Sequence, residues 1–405
     1  MCALALLCPS LVELSRSQYD VWIEPSPASL LLQGLAQTSP GLERLKLLVS
    51  SQTQIPYTKS NLFSNLAVFR NLRSLHCSTT MIDSQVVLLL GTLPKLDSLR
   101  IDAPAGYNPN SELDNANPED DLSLDDLMLP PHSFPNLRYL NLQFLPSRVI
   151  SQLWSFTPLV RQLISIHVRF HPDDVTPFYE PVILNSTICD ICRGSTDITE
   201  LCLDARSEHL YAELAPAVVG CLQQLPLLRR FKLVDAILPT SFGNTNLLVP
   251  IIPNVEYLGI EVVKTTFADL VLIAQHLPKL RFLIAYLPLT GWPYGLEGYS
   301  ITPSPSTLRL GCDFVFSGQT DRFDVGSEHA SMEVYINLMA QHLHMLWPNG
   351  ISCEQEASYH ILESSDREYF DLLKSKLNAL NPSGFDLPGR QIYEATWSAY
   401  KYWFD

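Results

Sequence analysis

One phrase recurs along this chain: an apolar residue, a proline, any residue, and then leucine or a similar residue at the spacing Leu-x-x-Leu-x-Leu. The clearest copies of the phrase begin at Leu93, Phe134, Leu225, Ile252 and Leu277. A phrase that returns at regular intervals is the sequence signature of a repeat architecture, in which each unit buries its apolar face against its neighbours. The repeat therefore constrains the fold more strongly than any other feature of the sequence.

The spacing of the repeats indicates their type. The first apolar residue of each Leu-x-x-Leu-x-Leu serves as a marker, and most intervals between markers lie between 24 and 31 residues. A period of this length is too short for tetratricopeptide, ankyrin or propeller repeats, and it fits a leucine-rich repeat with one strand and one helix per unit. The markers are Leu11, Leu42, Leu72, Leu96, Leu137, Leu163, Ile198, Leu228, Val255, Leu280 and, in degenerate form, Pro305.

The residues before each marker predict the helical half of the unit. Counting back from Leu96 gives Leu93, Leu90, Leu89 and Val86, which have the spacing of an amphipathic helix. The proline after this stripe ends the helix, and the residues after the marker alternate with the period of a strand. We therefore predict an α/β fold, a leucine-rich-repeat solenoid of horseshoe form with a parallel inner sheet, outer helices and a C-terminal cap. The alternative is an ordinary globular αβ protein with leucine-rich helices.

The predicted organisation is one long solenoid with one insertion and one cap. Residues 1–353 carry the repeats, and the apolar residues 1–8 fit the end of a helix in the first repeat. Residues 104–130 are rich in Asp, Glu, Pro, Asn and Ser, a composition that cannot bury a core, so we predict a solvated acidic loop there. An acidic docking arm is the alternative for this loop. Residues 354–405 contain an amphipathic stretch and many aromatic residues, and we predict that they form a helical cap on the last repeat.

Charge, hydropathy and cysteine content restrict the classes of function. The formal net charge is −15, which disfavours nucleic-acid binding because phosphate contacts need a basic field. No apolar run has the length of about 18 residues that a membrane-spanning helix needs. The nine cysteines lack the spacing of a disulfide framework, so reduced thiols are expected. Together these features predict an intracellular protein, cytoplasmic or nuclear, without nucleic-acid or membrane partners.

The sequence contains no catalytic or metal-binding motif of the common types. Phosphate-binding glycine loops, the zinc-protease pattern His-Glu-x-x-His and the nucleophile elbow Gly-x-Ser-x-Gly are all absent. Cys189 and Cys192 form a lone Cys-x-x-Cys, in which Cys192 occupies a position where other repeats have leucine. His342 and His344 stand two residues apart on a predicted helix, so their rings point to different sides. We therefore predict that the protein is not an enzyme and has no cofactor and no metal site.

The alternation of the predicted strands places large side chains on a concave face, where a partner would bind. Towards the C-terminal half, aromatic residues and cations of consecutive repeats lie close together on this face. Such a composition is typical of interface anchors, although exposed aromatic residues also stabilise packing between strands. The cations predict a protein partner with an acidic or phosphorylated segment. The candidate partner-binding residues are Arg230, Lys232, Tyr257, Phe282, Tyr286, Tyr139 and Arg169.

Several phrases of the repeat region resemble those of fungal F-box/leucine-rich-repeat proteins. They are residues 5–11, 134–140 and 277–283, together with the late pattern of residues 308–316 and 347–349. The resemblance covers residues 1–353. It implies the substrate-recognition part of an F-box ubiquitin-ligase receptor, in which the repeats capture a protein substrate and a separate F-box holds the ligase adaptor.

The F-box itself is not expected in this chain. Only ten residues precede the first strand marker, Leu11, and no leucine- and proline-rich three-helix segment occurs. An adaptor partner is therefore expected only if an F-box lies upstream of the chain. The resemblance and the residues together predict a non-catalytic protein–protein interaction module. A free-standing leucine-rich-repeat scaffold or inhibitor-like protein, without a link to ubiquitin, is the alternative.

Overall fold

The chain divides between Ile198 and Thr199 into two compact units, here termed the first and the second unit. In each unit, parallel strands alternate along the chain with helices and loops. The computed structural model describes residues 10–14, 25–48, 64–79, 82–103, 127–170, 181–205, 212–234, 236–237, 249–288, 292–293, 295–315, 328–355 and 364–381.

The strands of the first unit pair in chain order, and every described pairing within it is parallel. The apolar residues at alternate strand positions enter the core, so that Leu99 and Ile101 of one strand lie beside Leu140 and Leu142 of the next. The same side of each strand is therefore apolar in successive repeats. The strands are β1 (Glu13–Leu14), β2 (Arg44–Leu47), β3 (Ser74–Ser78), β4 (Ser98–Asp102), β5 (Tyr139–Leu145) and β6 (Ser165–Phe170).

The helices of the first unit follow the apolar stripes that the sequence predicts. The helix Ser84–Gly91 begins after Asp83, whose carboxylate accepts a hydrogen bond from the backbone N–H of Val86 at 2.8 Å. This cap satisfies one of the backbone donors that a helix start leaves unpaired. Val86 and Leu90 of the stripe are buried. The helices are Pro25–Thr38, Ser84–Gly91, Ser147–Ser155, Thr157–Val160 and Pro181–Gly194, with a 3-10 turn at Ser64–Val68.

The long strands of the second unit also pair in parallel and in chain order. Two short strands pair with each other beside them in a second parallel ladder. The strands are β7 (Glu200–Asp204), β8 (Ala212–Glu213), β9 (Arg230–Val234), β10 (Ala236–Ile237), β11 (Tyr257–Lys264), β12 (Phe282–Pro288), β13 (Leu308–Val315) and β14 (Ile351–Gln355).

The helices of the second unit include one with a complete capping box. Thr266 Oγ1 accepts a hydrogen bond from the backbone N–H of Asp269, and the Asp269 carboxylate accepts one from the backbone N–H of Thr266. Two donors at the start of this helix are thereby satisfied reciprocally. The helices are Pro216–Leu222, Phe267–His276, Glu328–Leu346 and Ser364–Leu380, with a 3-10 turn at Val249–Ile251.

The end of the helix Ser364–Leu380 contacts the strand β14. Leu373 and Leu377 of this helix are buried. After the helix, Asn381 Oδ1 accepts a hydrogen bond from the backbone N–H of Ile351 at 2.9 Å, and Asn381 Nδ2 donates to the Ile351 carbonyl at 2.8 Å. A single amide side chain therefore satisfies both backbone groups of Ile351, much as a further strand would.

A ladder of hydrogen bonds joins the turns of neighbouring repeats in both units. It uses the residue after the turn proline, whose amide reaches the proline carbonyl of the preceding repeat. Asn136 Nδ2 donates to the Pro94 carbonyl at 2.6 Å, and Asn254 Nδ2 donates to the Pro226 carbonyl at 3.2 Å. Lys279 Nζ then donates to Asn254 Oδ1 at 2.9 Å. The recurring phrase therefore encodes contacts between repeats as well as the end of the helix.

The predicted α/β leucine-rich-repeat solenoid fold is confirmed. Marker residues such as Leu42, Leu96, Val255 and Leu280 have no exposed surface, as the repeat pattern requires. Within the described part of the chain, no helix is both long and apolar enough to cross a membrane. The predicted helix end at residues 1–8, most of the acidic loop and the aromatic tail lie outside the described residues.

Candidate functional site

Alternate residues of each strand project away from the buried leucines, and together they form what we term the strand face of each unit. Because neighbouring strands are parallel and in register, residues at equivalent positions form rows across this face. All seven candidate partner-binding residues stand at such positions. Arg230, Lys232, Tyr257, Phe282 and Tyr286 lie in the second unit, and Tyr139 and Arg169 lie in the first.

The first row of the second unit is a ladder of charged and aromatic side chains. It consists of Glu200, Arg230, Tyr257, Phe282 and Arg309, each paired in register with the next. Arg230 Nη1 lies 2.8 Å from Glu200 Oε1. The rings of Tyr257 and Phe282 are stacked, with centroids 4.9 Å apart and planes at 7°. The guanidinium carbon of Arg309 lies 5.9 Å from the centroid of the Phe282 ring.

Both arginines of this row are paired with carboxylates. Arg230 and Glu200 form their ion pair with about a quarter of each side chain exposed. Arg309 is buried and forms an ion pair with Glu354 of β14. The positive charge that the sequence predicts for this surface is therefore offset by neighbours on the same face. An acidic partner would gain little from charge alone at this row.

Gly259 in the second row lies against both a cation and the aromatic stack. It pairs in register with Lys232 on one side and Ile284 on the other. A Cβ atom at Gly259 would lie 3.1 Å from Lys232 Cγ and 3.5 Å from Tyr257 Cε1. Glycine at this position therefore leaves room for the aliphatic stem of Lys232 beside the edge of the Tyr257 ring.

The five candidate residues of the second unit differ in exposure. Tyr257 is buried, with 5% of its surface exposed. Phe282, Tyr286, Arg230 and Lys232 are all partly exposed. Packing between strands, the alternative that the sequence left open, accounts for the Tyr257–Phe282 stack. The part of this patch that a partner can contact is formed by Phe282 and Tyr286 together with the two cations.

The strand face of the first unit is mainly polar. Its first row contains Ser74, Ser98, Tyr139 and Ser165 in register. Ser98 and Ser165 are buried, whereas Tyr139 is 44% exposed. Tyr139 therefore stands out from its two neighbours in the row, Ser98 and Ser165, which are small. An exposed aromatic ring on a paired strand is a common form of contact residue.

In the second and third rows of the first unit's strand face, Asp102 of β4 contacts two side chains at once. The Asp102 carboxylate receives two hydrogen bonds from Arg100, from Nε to Oδ1 at 2.8 Å and from Nη2 to Oδ2 at 2.9 Å. Asp102 Oδ2 also lies 2.7 Å from Nε2 of His76 on β3. Since a carboxylate only accepts, the imidazole donates from Nε2. The three side chains form a cluster that fixes the orientation of the arginine.

Burial and hydrogen bonding set the charges of this cluster. Burial lowers the pKa of His76, and it outweighs the opposing effect of the Asp102 carboxylate. His76 is therefore neutral near pH 7. Burial alone would raise the pKa of Asp102, but hydrogen bonds from His76 and Arg100 more than offset it, so its pKa lies below the ordinary value. Near pH 7 the cluster is one arginine cation, one carboxylate and one neutral imidazole.

A second polar group continues the face on β5 and β6. Gln143 Nε2 donates to Asn141 Oδ1 at 2.5 Å and lies 3.4 Å from Nδ1 of His167. All three residues are buried. Buried polar groups of this kind are stable only when they satisfy one another, and a satisfied network is rigid.

Next to this group, β5 contains a bulge with an unusual backbone conformation. The register with β6 shifts between Gln143 and Leu145, and the residue between them, Phe144, has a φ angle of 60°. An aromatic residue in this left-handed region costs on the order of 1–3 kcal/mol. The guanidinium carbon of Arg169 lies 4.0 Å from the centroid of the Phe144 ring. The bulge thus places an aromatic ring under a cation of the strand face.

The two strand faces differ in charge. On the first unit the described charged side chains of the face are four cations, Arg44, Lys46, Arg100 and Arg169, and two anions, Glu13 and Asp102, which gives +2. On the second unit the described ones are three cations, Arg230, Lys232 and Arg309, and three anions, Glu200, Asp204 and Glu354, which gives zero.

Several residues of the first unit were not among the sequence-predicted candidates. His76, Asp102, Gln143 and Phe144 are the main ones. Polar residues at alternate positions of β3, β4 and β5 could have indicated a polar face. The pairing of His76 with Asp102 depends on the register of two strands, which the sequence does not specify by itself. The left-handed conformation of Phe144 has no local signal, since neither glycine nor asparagine occurs at that position.

The cysteine and histidine side chains that could be reactive are packed among other side chains. Cys192 of the Cys-x-x-Cys is buried, and burial raises the pKa of its thiol to about 12, so it is not a ready nucleophile. Cys189 of the same motif and Cys221 are both disulfide-bonded, so the expectation of reduced thiols is wrong for these two residues. The His342 ring packs 4.9 Å from the Phe267 ring and 6.3 Å from the Trp292 ring. Among the described residues, no three His, Cys, Asp or Glu side chains are grouped closely enough to hold a metal ion.

Comparison with known proteins gives similarities of fold only. No protein-family model matches the chain, and no curated protein matches it. The leucine-rich repeat-containing protein LegL7 from Legionella pneumophila is 13% identical with a TM-score of 0.43, over 95% of this chain and 94% of LegL7. An internalin, InlF from Listeria monocytogenes, is 12% identical with a TM-score of 0.36, over 86% and 88% of the two chains. A chain of the yeast Rad7–Elc1 complex is 12% identical with a TM-score of 0.26, over 71% and 88%.

Proposed function

We propose that this chain is a non-catalytic protein-interaction module that binds a protein partner on its strand faces. The observation that carries the proposal is the partial exposure of Phe282 and Tyr286 on the paired strand β12, where two cations of β9 share the same face. Aromatic residues on a rigid support give a large contact area at a small cost in side-chain entropy. Repeat folds suit such a role because they present extended binding surfaces.

The proposed docking patch of the second unit consists of Arg230, Lys232, Tyr257, Phe282 and Tyr286. Within it, Phe282 and Tyr286 make the contact, and the buried Tyr257 supports the Phe282 ring by stacking. Tyr139 and Arg169 belong to a separate contact surface on the first unit. We propose that the partner has an acidic or phosphorylated segment. The net positive charge of the first unit's strand face supports this, whereas the charges of the second unit's strand face cancel.

More specifically, we propose the role of substrate recognition in an F-box ubiquitin-ligase receptor, with a cytoplasmic or nuclear location. Its support is the resemblance of the repeat phrases in residues 1–353 to those of fungal F-box/leucine-rich-repeat proteins. The second candidate is a free-standing leucine-rich-repeat scaffold or inhibitor-like protein. The same fold and the same strand faces serve both roles.

Partner capture followed by mutation tests the docking patch. The tagged chain is used to isolate a partner from a lysate of the source organism, and the purified partner is titrated by calorimetry. Phe282→Ala and Tyr286→Ala are each expected to weaken binding by about thirtyfold, the usual effect of removing an anchor residue. Val334→Ala, at an exposed position of the helix Glu328–Leu346, is the control and should bind as wild type. If both patch variants also bind as wild type, the patch is not the docking site.

A turnover measurement separates the two candidate roles. The half-life of the captured partner is compared in cells with and without the gene. If the protein is a ubiquitin-ligase receptor, deletion of its gene lengthens the half-life of the substrate. Proteasome inhibition in the deletion strain then has little further effect. A scaffold leaves the half-life unchanged. An unchanged half-life, with binding intact, would reject the receptor role and retain the interaction module.

A further inference from the structure

We propose that residues 393–404 form an amphipathic helix that docks on an exposed apolar stripe of the helix Glu328–Leu346. These residues belong to the aromatic tail, residues 382–405, which lies outside the described residues. The inference is independent of the proposed function, because the stripe lies on a helix whereas the docking patch lies on strands. It assigns a binding surface of the second unit to a segment of the same chain.

The outer side of the helix Glu328–Leu346 exposes a row of apolar side chains, here termed the helix stripe. Val334 is 58% exposed, Met345 is 42% exposed, and Leu338 between them is partly exposed. At 3.6 residues per turn, side chains four and eleven positions apart lie on one face of a helix. Leu343, on the opposite side from Val334, has no exposed surface. The helix is therefore apolar on its outer side as well as on its buried side.

The outer side of this helix also lacks charge. From Val334 to Leu346 the sequence contains no Asp, Glu, Lys or Arg. The neighbouring helix Ser364–Leu380 has charged residues along its length, and its Lys376 Nζ lies 3.3 Å from Glu333 Oε1 at the edge of the stripe. A surface helix usually has charged residues on its solvent side. An exposed apolar row without them favours a surface that another segment covers.

The sequence of the aromatic tail predicts a complementary surface. Aromatic residues recur in it with the spacing i, i+4, i+7 and i+11 of one helix face. They are Tyr393, Trp397, Tyr400 and Phe404. Glu394, Ser398 and Lys401 follow one residue later with the same spacing and give the predicted helix a polar side. The aromatic row and the helix stripe each extend over eleven positions, about 16 Å of helix, so their lengths match.

The start of the aromatic tail is within reach of the helix stripe. Asn381, the residue before the tail, bonds to both backbone groups of Ile351. Ile351 follows Met345, the last residue of the stripe, by only six positions. The linking residues 382–392 can extend over about 36 Å, which is more than twice the length of the stripe. The tail helix can therefore dock on the stripe in either direction.

Helix formation and docking are coupled in this arrangement. An isolated helix of about 12 residues is marginal in water, so residues 393–404 need the stripe in order to stay helical. The aromatic rings supply the contact area, because each ring buries a large apolar surface when it packs. Disruption of the stripe should therefore release the whole tail helix, which makes the inference testable by proteolysis.

Trypsin cleavage after Lys401 in the full chain measures the release of the tail. Cleavage follows the population of the open form, and Lys401 lies on the polar side of the predicted helix. We expect Val334→Asp, which places a charge in the stripe, to raise the cleavage rate by about tenfold. Leu30→Asp, at a 65% exposed position of the helix Pro25–Thr38 in the first unit, is the matched control and should leave the rate unchanged. Equal rates in Val334→Asp and the wild type would overturn the inference.

A second pair of variants tests the face of the tail that docks. Trp397→Ala removes a ring from the aromatic row and should also raise cleavage after Lys401 by about tenfold. Ser398→Ala changes the adjacent residue on the polar side and should leave cleavage unchanged. If the two variants are cleaved equally fast, the tail does not dock through its aromatic row, and the inference is wrong.

Photocrosslinking identifies the surface that the tail contacts. Tyr400→p-benzoylphenylalanine is made in the full chain, which is irradiated, and the crosslinked peptides are mapped by mass spectrometry. We expect crosslinks within one chain to residues 333–346. Crosslinks between two chains would show that a second copy is the occupant, and crosslinks to β9 or β12 would show that the tail covers the docking patch; either result would overturn the inference. Partner binding that still depends on Phe282 and Tyr286 would leave the proposed function intact in each case.

Discussion

The two units use the same repeat to support strand faces of different chemistry. In the first unit, Asp102 connects a histidine and an arginine in a polar cluster, and a bulge positions a further cation. In the second unit, the first row contains a stack of two aromatic rings between two arginine residues, each of which pairs with a glutamate. The inward side of both units is alike, since leucine and similar residues fill it throughout. The repeat fixes which positions face outward, and the residues at those positions determine the chemistry.

The difference shows two ways to stabilise outward side chains on a parallel sheet. Buried polar groups have to satisfy one another's hydrogen bonds, so a polar face becomes a coupled network. Aromatic groups need only contact area, so the stack of the second unit is held by a simple pairwise contact. We therefore expect the loss of one polar group from the first unit's strand face to lower the free energy of unfolding sharply. On the second unit's strand face, we expect the loss of aromatic ring area to lower it.

The largest effect is expected from Asp102→Asn. This change leaves the Arg100 cation in a nearly buried position without its carboxylate, and breaking such a pair costs about 3 kcal/mol. Chemical denaturation of the full chain measures the change in the free energy of unfolding. Asp190→Asn, which removes the exposed partner of Arg193, is the control and should change the free energy by less than about 0.5 kcal/mol. Equal effects of the two variants would show that the polar cluster is not a coupled network.

Two tyrosines at equivalent strand positions give the next test. Tyr257→Ala removes a buried ring from the stack and should destabilise the protein by about 2–3 kcal/mol. Tyr139→Ala removes an exposed ring of the first unit and should cost less than about 1 kcal/mol. Denaturation midpoints of the two variants and the wild type provide the comparison. If Tyr139→Ala lowers the stability more than Tyr257→Ala does, the assignment is wrong: Tyr139 would be the packing residue, and Tyr257 would not be.

The buried histidine of the first unit's strand face, His76, should make the stability of the protein depend on pH. The pKa of His76 is lowered in the folded protein, so between the folded and unfolded pKa values the unfolded chain binds more protons. Stability therefore rises with pH through this window, and acidification below about pH 6.5 destabilises the protein. His76→Gln keeps a donor for Asp102 but does not titrate. We expect the loss of stability between about pH 7.5 and pH 5.5 to be smaller in His76→Gln than in the wild type.

A control variant limits this reading to His76. Gln152→Ala changes a side chain that does not titrate, on the helix Ser147–Ser155, and should keep the pH dependence of the wild type. Both profiles are taken from denaturation midpoints above about pH 5, where Asp102 stays ionised because its pKa is lowered. Identical profiles for His76→Gln and the wild type would contradict a neutral, buried His76.

The sequence predicts the repeat and the inward side of the fold because both are local. The spacing before Leu96 and the proline after each stripe specify helix, turn and strand within one unit, and residues such as Val86 and Leu90 are buried as expected. The site is less predictable because its contacts join different repeats. The Asp102–His76 contact spans 26 positions along the chain and depends on strand register. The ion pair between Arg230 and Glu200 likewise joins neighbouring strands. The sequence therefore predicted a positive patch around Arg230 without the offsetting charge of Glu200.

The smallest expected effect tests what the two units share. Asn136→Ala in the first unit and Asn254→Ala in the second each remove one amide of the exposed turn ladder, which donates to a proline carbonyl of the preceding repeat. Exposed hydrogen bonds of this type contribute about 0.5–1 kcal/mol, and the two variants should lose similar amounts because their turns have the same design. Asn254→Ala also removes the acceptor of Lys279 Nζ, so Lys279→Ala is measured alone and in combination with it. A coupling energy near zero in this double-mutant cycle would show that the lysine contributes nothing measurable. A loss of more than about 2 kcal/mol in one unit and not in the other would mean that the turns, and not only the strand faces, distinguish the two units.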